Sequence, residues 1–293
     1  MSSVPEPSET SATSETVDWA ALRYQALSED LAENQRWSTW ADVARTEARG
    51  PKPWPDWLVT SQAAIDTDLG VLKTGKEADV SLIERAVPGG ASCLLVAKRY
   101  RTLDHRLFTR DGAYTEGRKV RRSRDVRALE GKSDYGRRLG ASQWATTEFA
   151  TLKLLYAEGV CVPYPVQIQG SEILMEFISD AAPATAAPRL VQTDPDADTL
   201  RSLWEQLVRA MCQLARLQVV HGDLSPYNVL VQPDAAGPRL VIIDVPQVVD
   251  LVANPNAVDF LHRDCTTMAT WFVRKGLQVD ADALLAEVLG HAW

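Results

Sequence analysis

The chain has 293 residues, of which 45% are hydrophobic, and it carries a formal net charge of −8. This composition excludes a largely disordered chain and argues against a dedicated nucleic-acid binder, while the length suits two lobes with a sizeable core. No stretch approaches about 18 apolar residues and the N-terminus lacks a hydrophobic signal core, so we expect a cytoplasmic protein without a membrane segment. Four widely spaced cysteines form no CxxC pair, which favours reduced structural thiols: Cys93, Cys161, Cys212 and Cys265.

The N-terminal part of the chain is predicted to be a tail followed by a helical extension. Residues 1–17 are rich in Ser, Thr, Glu and Pro and are predicted to be disordered. Residues 18–49 carry loosely periodic apolar side chains, which predicts one or two helices that stop at Gly50. Residues 51–57 are rich in proline and predict an extended linker, because proline disfavours helix in the residue before it. We therefore assign residues 18–59 to a helical extension and linker.

A β-hairpin with a glycine turn is predicted at the start of the first lobe. Residues 70–86 contain two strand patterns separated by a turn that includes Thr74, Gly75 and Lys76. Such a turn can direct successive backbone N–H groups at phosphate oxygens, so these three residues are candidates for nucleotide binding. The single glycine does not match GxGxxG, and an ordinary hairpin is the alternative.

A lysine and a glutamate are predicted to pair inside the first lobe. Lys98 follows an apolar run in a predicted strand over residues 93–100, where a nearly buried ammonium needs a partner. Residues 142–158 predict a helix that Ser142 caps, and Glu148 lies on its apolar stripe. In kinases, a Lys–Glu pair of this kind holds the α- and β-phosphates of ATP. The alternative is a strand-end lysine that extends to solvent.

The segment at residues 99–138 is strongly basic and contains several glycines. It holds 13 Lys and Arg residues against 6 Asp and Glu residues. Residues 117–124 are too charged to bury, which predicts a mobile insertion. The hypothesis is that this segment binds an anionic partner, RNA or an acidic protein surface, and that Ser123 is phosphorylated in cis. The alternative is a solvated loop without a partner.

The remaining elements divide the chain into a strand-rich half and a helix-rich half. Residues 162–168 and 171–178 predict two strands around a glycine, followed by a link rich in alanine and proline. Helices are predicted at residues 199–217, 257–275 and 281–289.

These halves predict a two-lobed α+β fold with the nucleotide between the lobes. Residues 60–178 would form an N-lobe of mostly antiparallel strands with the Glu148 helix, and residues 179–293 would form a mainly helical, truncated C-lobe.

A polar loop in the C-lobe carries the candidate catalytic groups. Residues 219–231 begin and end with short apolar runs, and the polar loop between these runs carries Asp223 and Asn228, five positions apart. Asp244 directly follows a predicted buried strand at residues 241–243. Each residue alone is a common turn former, so the prediction depends on their combination. The oxygens of Asn228 and Asp244 suit Mg²⁺, which binds through one or two side chains plus substrate phosphates. Asp223 would then orient or deprotonate the attacking hydroxyl, as in kinase-type phosphoryl transfer.

In a two-lobed kinase, the link between the lobes contacts the adenine base. Met175 would stand at the back of that pocket, and Glu176 and Ile178 would offer backbone groups to the base.

With these residues assigned, residues 69–275 resemble the RIO family of atypical serine/threonine protein kinases. The HGDLxxxN pattern is shared with aminoglycoside and choline phosphotransferases, whereas TGKEADV together with IIDVPQ is more specific to RIO kinases. The chain resembles the branch without an N-terminal winged helix. The matching motifs are LKTGKEADV, VAKRY, EFATLKLLYAEGV, LMEFI, HGDLSPYNVLV, IIDVPQ and FLHRDC.

The resemblance implies ATP and Mg²⁺ as cofactors, with Mn²⁺ as an alternative metal. It implies that Lys98 and Glu148 hold phosphates, that Asp223 is the catalytic acid/base and that Asn228 and Asp244 bind metal. In this family the metal-binding Asp also accepts phosphate, so Asp244 is a second candidate catalytic residue.

The function predicted first is an ATP-dependent serine/threonine kinase or ATPase acting on itself or on a selective protein partner. A small-molecule phosphotransferase is one alternative, and an ATP-switched ribosome-assembly factor is another. HGD replaces the HRD of ordinary protein kinases, and no APE motif occurs after Asp244. We therefore expect no switching by activation-loop phosphorylation and poor activity on generic peptides.

Overall fold

The computed structural model describes residues 31–43, 47–101, 134–182, 184–245 and 248–292, which form a strand-rich lobe and a helix-rich lobe. Among these residues, no helix is both long enough and apolar enough to cross a lipid bilayer. The predicted disordered tail at residues 1–17 lies outside the described residues, as do Ser123 and most of the basic segment.

The first lobe is built on a six-stranded antiparallel sheet with the strand order β1-β2-β3-β4-β6-β5. One long helix, α1 (Asp134–Ala157), joins β4 to β5 and packs on the sheet. The strands are β1 (Gln35–Trp37), β2 (Ile65–Thr74), β3 (Ala78–Ala86), β4 (Ser92–Tyr100), β5 (Pro165–Gln169) and β6 (Glu172–Glu176).

The two faces of this sheet are covered by different parts of the chain. Successive side chains of a strand point to opposite faces, so Leu95 and Tyr100 of β4 enter different cores. On the Leu95 face, Trp40 and Leu58 from the segment before β2 complete the core. On the Tyr100 face, Phe149 and other apolar residues of α1 complete it. Lys98 shares the Tyr100 face, which is the face toward α1.

The second lobe packs three helices around two short strand pairs. Asp196 caps the first of these helices by accepting a hydrogen bond from the Thr199 N–H at 2.8 Å. Its buried apolar residues recur every three or four positions, which is the helical period that the sequence indicates. The helices are α2 (Ala197–Arg216), α3 (Ala257–Arg274) and α4 (Ala281–Gly290), and the antiparallel strand pairs are β7 (Val219–Val220) with β10 (Val249–Asp250) and β8 (Val229–Gln232) with β9 (Arg239–Ile242).

The helical prediction for residues 18–49 is wrong where the structure describes them. Residues 31–43 contain β1 and a single 3-10 turn, Thr39–Ala41, and no α-helix. Pairing of β1 with β2 outweighs the weak helical pattern, because helix propensity yields readily to tertiary contacts. Gly50 is needed for close packing rather than as a helix stop, since a Cβ there would lie 2.0 Å from the Pro165 carbonyl oxygen.

Helix α1 begins earlier than predicted, and the boundaries of the basic segment change with it. Ser142 lies inside the helix rather than at its cap, and its carbonyl oxygen accepts a hydrogen bond from the Thr146 hydroxyl at 2.7 Å. The glycines before Ser142 do not interrupt the helix. Consequently both ends of the predicted insertion at residues 99–138 belong to regular elements, β4 and α1, and residues 102–133 lie outside the described structure.

Candidate active site

A cleft of about 910 Å³ lies where the glycine turn, β4, α1, the link between the lobes and the loop before β8 come together. Most residues predicted to bind ATP or metal line this cleft: Gly75, Lys76, Lys98, Glu148, Met175, Glu176, Ile178, Asn228 and Asp244. A volume of this size matches a pocket for a drug-sized or nucleotide-sized ligand.

Lys98 joins the two lobes through two carboxylates. Its Nζ lies 2.8 Å from Glu148 Oε1 and 2.7 Å from Asp244 Oδ1, and its side chain is only 12% exposed. Burial alone would lower the pKa of Lys98, but the charges of Glu148 and Asp244 outweigh burial and raise it above the ordinary value. Lys98 therefore stays an ammonium, ready to hold an anionic ligand at this position.

Glu148 has a second donor that the sequence analysis did not identify. The Tyr100 hydroxyl, two residues after Lys98 on the same strand, donates a hydrogen bond to Glu148 Oε2. Glu148 is 1% exposed, so both oxygens of this buried carboxylate are held by β4. The spacing of Lys98 and Tyr100 on one face of β4 is the signal that could have identified Tyr100.

The loop between β7 and β8 presents Asp223 to solvent and holds Asn228 in place. The Asn228 side-chain amide donates to the Asp223 carbonyl oxygen at 2.9 Å, and its backbone N–H donates to the Ser225 carbonyl oxygen at 2.8 Å. Because the Nδ2 group is used in this way, the Asn228 side-chain oxygen is the atom left to serve as a ligand in the cleft. Asp223 does not line the cleft and stands exposed beside it.

Asp244 follows β9 in a left-handed backbone conformation, with φ of 64°. Non-glycine residues adopt this conformation rarely, and it recurs at functional sites. Burial would raise the pKa of Asp244, but the neighbouring Lys98 ammonium holds it below the ordinary value, and Lys73 acts in the same direction. An ionised Asp244 and the Asn228 oxygen form a donor set that fits Mg²⁺.

Asp264 of α3 fixes the backbone of the same loop. Its carboxylate accepts the Gly222 N–H at 2.8 Å and the Leu224 N–H at 3.0 Å, one on each side of Asp223. Arg263 adds a hydrogen bond to the Gly222 carbonyl oxygen. In the sequence, FLHRDC was recognised only as a motif of the resemblance. The signal for a structural role is an acid on an otherwise apolar helix face.

His221 ties this loop to the strand that carries Asp244. Its ring Nε2 lies 3.2 Å from the Ile243 carbonyl oxygen, and its Nδ1 accepts the Asp223 N–H at 3.3 Å. Burial lowers the pKa of His221, so the ring is a neutral structural link. The backbone at Asp223 and the backbone at Ile243, the residue before Asp244, are thereby connected through one buried side chain.

Part of the backbone of the link between the lobes is already hydrogen-bonded to other protein groups. The Glu176 N–H donates to the Tyr164 carbonyl oxygen, and the Ile178 carbonyl oxygen accepts the Ala187 N–H, each at 2.9 Å. Within the described part of the chain, the Ile178 N–H has no backbone acceptor and remains a donor for a base. The Glu176 carboxylate folds back to accept the Tyr164 N–H at 3.0 Å, and burial raises the pKa of this carboxyl group.

The glycine turn is closed by a hydrogen bond from the Gly75 N–H to the Ala78 carbonyl oxygen at 2.9 Å. A Cβ at Gly75 would lie 3.0 Å from that oxygen, so a side chain at position 75 would crowd the turn. Thr74, predicted to bind nucleotide, lies outside the cleft lining, where it pairs with Asp79 across β2 and β3. Lys73 lines the cleft and was not predicted.

Comparison with known proteins identifies the family to which this site belongs. A family model described as the RIO domain matches residues 104–284. The RIO-type serine/threonine-protein kinase Rio1 of Haloferax volcanii is 33% identical over 226 residues, which cover 77% of this chain and 70% of that protein. The chain belongs to the RIO kinase family. The family prediction is therefore confirmed.

Other relatives extend the comparison to longer RIO kinases and to a solved structure. RIO3 of Caenorhabditis elegans is 28% identical over 75% of this chain, which spans 39% of that relative's length. The crystal structure of the Rio2 kinase–ADP/Mg²⁺–phosphoaspartate complex from Chaetomium thermophilum is 25% identical, with a TM-score of 0.52, covering 75% of this chain and 61% of that one. This likeness confirms the two-lobed α+β kinase-like fold of this RIO kinase.

Proposed function

We propose that this RIO kinase transfers the γ-phosphate of ATP, in a Mg²⁺-dependent reaction, to its own side chains or to a selective protein partner. The observation that carries the proposal is Lys98, held 2.8 Å from Glu148 and 2.7 Å from Asp244 in the interlobe cleft. The names of the relatives support a serine/threonine kinase. The ADP and Mg²⁺ of the Chaetomium Rio2 complex support the same ligands here.

Lys98, Glu148, Asn228 and Asp244 in the cleft, and Asp223 beside it, each have a role in this proposal. Lys98, oriented by Glu148, holds the α- and β-phosphates. Asn228 and Asp244 would hold Mg²⁺, which supplies charge neutralisation for the phosphates when it is bound. Asp223 takes the proton of the attacking hydroxyl as the new oxygen–phosphorus bond forms and the bond to the departing ADP breaks. Mn²⁺ is an alternative metal, because it accepts the same oxygen ligands.

Asp244 is also proposed as a phosphoryl acceptor. The phosphoaspartate of the Chaetomium Rio2 complex supports this role. In this step a carboxylate oxygen of Asp244 bonds to the γ-phosphorus, ADP leaves, and water later hydrolyses the acyl phosphate. The low pKa of Asp244 keeps this oxygen ionised and therefore nucleophilic.

Incubation of the purified protein with γ-labelled ATP and Mg²⁺ tests the proposal. We expect label on the protein or released phosphate, with both lost in Lys98→Ala. A fraction released by hydroxylamine would mark an acyl phosphate, and that fraction should vanish in Asp244→Asn, whereas serine phosphate resists hydroxylamine. Wild-type protein that neither binds nor turns over MgATP would contradict the proposal, and strong phosphorylation of aminoglycosides or choline would favour the small-molecule alternative.

The proposal includes high selectivity for any protein substrate. Gly222 replaces the arginine with which ordinary kinases grip a phosphorylated activation loop, and α3 begins 13 positions after Asp244. Little chain is therefore left for a peptide-binding platform. Basic, acidic and proline-directed peptides should give no more turnover than a control without peptide, and robust turnover of several unrelated peptides would overturn this part.

The partner and the compartment also remain proposals. The basic segment at residues 99–138 favours an anionic partner, RNA or an acidic protein surface, including a ribosomal one in the assembly-factor alternative. Binding should weaken steeply with salt and after deletion of residues 117–124. Co-sedimentation with ribosomes, with and without ATP, tests the assembly alternative. The four cysteines are free thiols, which supports a reducing compartment such as the cytoplasm.

A further inference from the structure

Tyr100 occupies the last position of β4, beside the Lys98–Glu148 pair. Its side chain is 7% exposed, and its ring packs in the core formed by α1 and the sheet, against residues such as Phe149. Its hydroxyl donates to Glu148 Oε2, while Lys98 Nζ donates to Glu148 Oε1 at 2.8 Å. The buried carboxylate therefore receives both of its donors from a single strand.

We propose that Tyr100 is a positioning residue whose hydroxyl occupies one oxygen of Glu148, so that the other oxygen holds Lys98 in its phosphate-binding position. This inference deepens the proposed function and rests on it, because the position of Lys98 matters for ATP. The Tyr100 hydroxyl itself does not line the cleft and does not need to touch the nucleotide.

The direction of the hydrogen bond is fixed by the protonation states. Burial and the charge of Glu148 both raise the pKa of Tyr100 well above its ordinary value. The hydroxyl thus stays protonated and donates, and the Glu148 carboxylate accepts. Tyr100 also contacts Lys98 directly, since Lys98 Nζ lies 5.3 Å from the centre of the Tyr100 ring.

The hydroxyl matters because Lys98 is shared between two carboxylates. Its ammonium contacts Glu148 on α1 and Asp244 in the second lobe. When phosphates enter the cleft, Lys98 must turn toward them while Glu148 keeps its hold. With Tyr100 on Oε2, Glu148 offers Lys98 one oxygen in one orientation. Without that hydroxyl, the buried carboxylate has an unsatisfied oxygen and is free to rotate, which draws Lys98 away from the phosphates.

Tyr100→Phe is the variant that isolates the hydroxyl, since it keeps the ring and its contact with Lys98. We expect the Kd for MgATP, measured by calorimetry, to rise about tenfold to a hundredfold, the equivalent of one hydrogen bond to a charged group. The matched control is Tyr164→Phe, which removes a buried hydroxyl bond to the Pro51 carbonyl oxygen on the opposite side of the sheet. That control should lower the melting temperature and leave the Kd unchanged.

A double-mutant cycle with Glu148→Gln separates positioning from general structural support. If Tyr100 acts through Glu148, Tyr100→Phe should weaken MgATP binding no further in the Glu148→Gln background. The same cycle in urea unfolding should show coupling between the two residues, a readout that needs no nucleotide.

The outcomes separate this inference from the proposed function. Equal MgATP affinity of wild type and Tyr100→Phe would overturn the inference alone. So would a Tyr100→Phe change that weakens MgATP binding as much in the Glu148→Gln background as in wild type. Wild-type protein that does not bind MgATP would overturn the proposed function and with it the role assigned to Tyr100, even if the unfolding cycle shows coupling.

Discussion

The carboxylate of Asp264 accepts the backbone N–H of Gly222 at 2.8 Å, and its other oxygen accepts the Leu224 N–H at 3.0 Å. These donors flank Asp223, which itself is exposed. A buried acid on α3 therefore sets the backbone from which the proposed catalytic acid/base projects. The position of Asp223 depends on packing of the second lobe as well as on its own loop.

Asp264→Asn should reduce turnover by about ten- to a hundredfold, because misplacement of a catalytic group by about 1 Å has effects of that size. The amide can accept only one of the two N–H donors and turns its own NH₂ toward the other. Steady-state ATP turnover measures the effect. Asp259→Asn, an exposed change on the same helix, is the control and should keep wild-type turnover. Equal turnover of the two variants would contradict a positioning role for Asp264.

The stability contribution of Asp264 should depend on pH. Burial raises its pKa to about 7, against the opposing effects of the Gly222 and Leu224 N–H groups and of Arg263, while Asp223 adds to the increase. A raised carboxyl pKa contributes stability that is complete below about pH 4 and is lost as pH rises toward about 7. The free energy of unfolding in urea should therefore fall over this range relative to Asp264→Asn. If the free energy of unfolding changed with pH in the same way in both proteins, the raised pKa of Asp264 would be refuted.

Lys98→Met should destabilise the fold as well as abolish ATP positioning. It leaves the buried Glu148 and the Asp244 carboxylate without their cation, and breaking a buried ion pair costs about 3–5 kcal/mol. Lys98 lowers the pKa of Asp244, so the stabilisation from that pair is present at neutral pH and is lost as pH falls through the folded-state pKa. The difference from wild type in urea unfolding should consequently persist down to about pH 4 and shrink only below it.

A surface cation provides the comparison for this variant. Arg209→Met, at an exposed position of α2, should change the free energy of unfolding by less than about 0.5 kcal/mol, the usual range for surface substitutions. A Lys98→Met protein as stable as wild type at neutral pH would show that Glu148 and Asp244 find other partners.

Asp223→Ala should lower the maximal rate of phosphoryl transfer about 10²–10⁴-fold, the usual value of a positioned general base. The KM for ATP should change little, because Asp223 stands outside the cleft lining. Asp234→Ala, in an exposed turn of the same lobe, is the matched control for rapid-quench measurements. A large rise in KM without loss of rate would assign Asp223 to nucleotide binding instead.

Arg85→Met should destabilise the sheet by about 3–5 kcal/mol, because it leaves the buried Asp66 carboxylate without its main cation. Arg85 is 0% and Asp66 2% exposed, and their side chains form two hydrogen bonds of 2.6 and 2.9 Å. Adding Asp66→Leu should restore most of the lost stability, since an apolar pair of similar volume leaves no buried charge without a partner. Urea unfolding measures both effects, and a double variant less stable than Arg85→Met would contradict this account.

Strands β2 to β9, the C-lobe helices and most residues that line the cleft could be predicted from sequence because each has a local signal. The apolar run before Lys98, the periodic leucines of α2 and the strand that ends at Asp244 all carry their pattern within a few residues. The roles of Tyr100 and Asp264 were not accessible in this way. Each acts on a residue more than 35 positions away, and only the packing of α1 and α3 reveals the contact.

The helical prediction for the N-terminal extension was wrong for a related reason. Its loosely periodic apolar side chains predicted a helix, but Trp40 packs instead against a sheet whose other strands lie later in the chain. Trp40 packs edge-to-face on Trp54 with ring centres 5.1 Å apart, and Arg49 lies over the Trp40 ring. Nothing local in residues 31–43 distinguishes this arrangement from a helix face, so the partner strand β2 decides the structure.

This extension also determines where the protein can be cut for recombinant work. A fragment beginning at residue 65 would lack Trp40 and Leu58, leaving Leu95 and its neighbours open to water. It would also expose the edge of β2 that β1 now covers. An unpaired edge beside a bare apolar face is a template for intermolecular strand addition. Expression trials of the catalytic lobes alone should therefore yield aggregates, and fragments that keep residues 31–64 are the ones suited to crystallisation and screening.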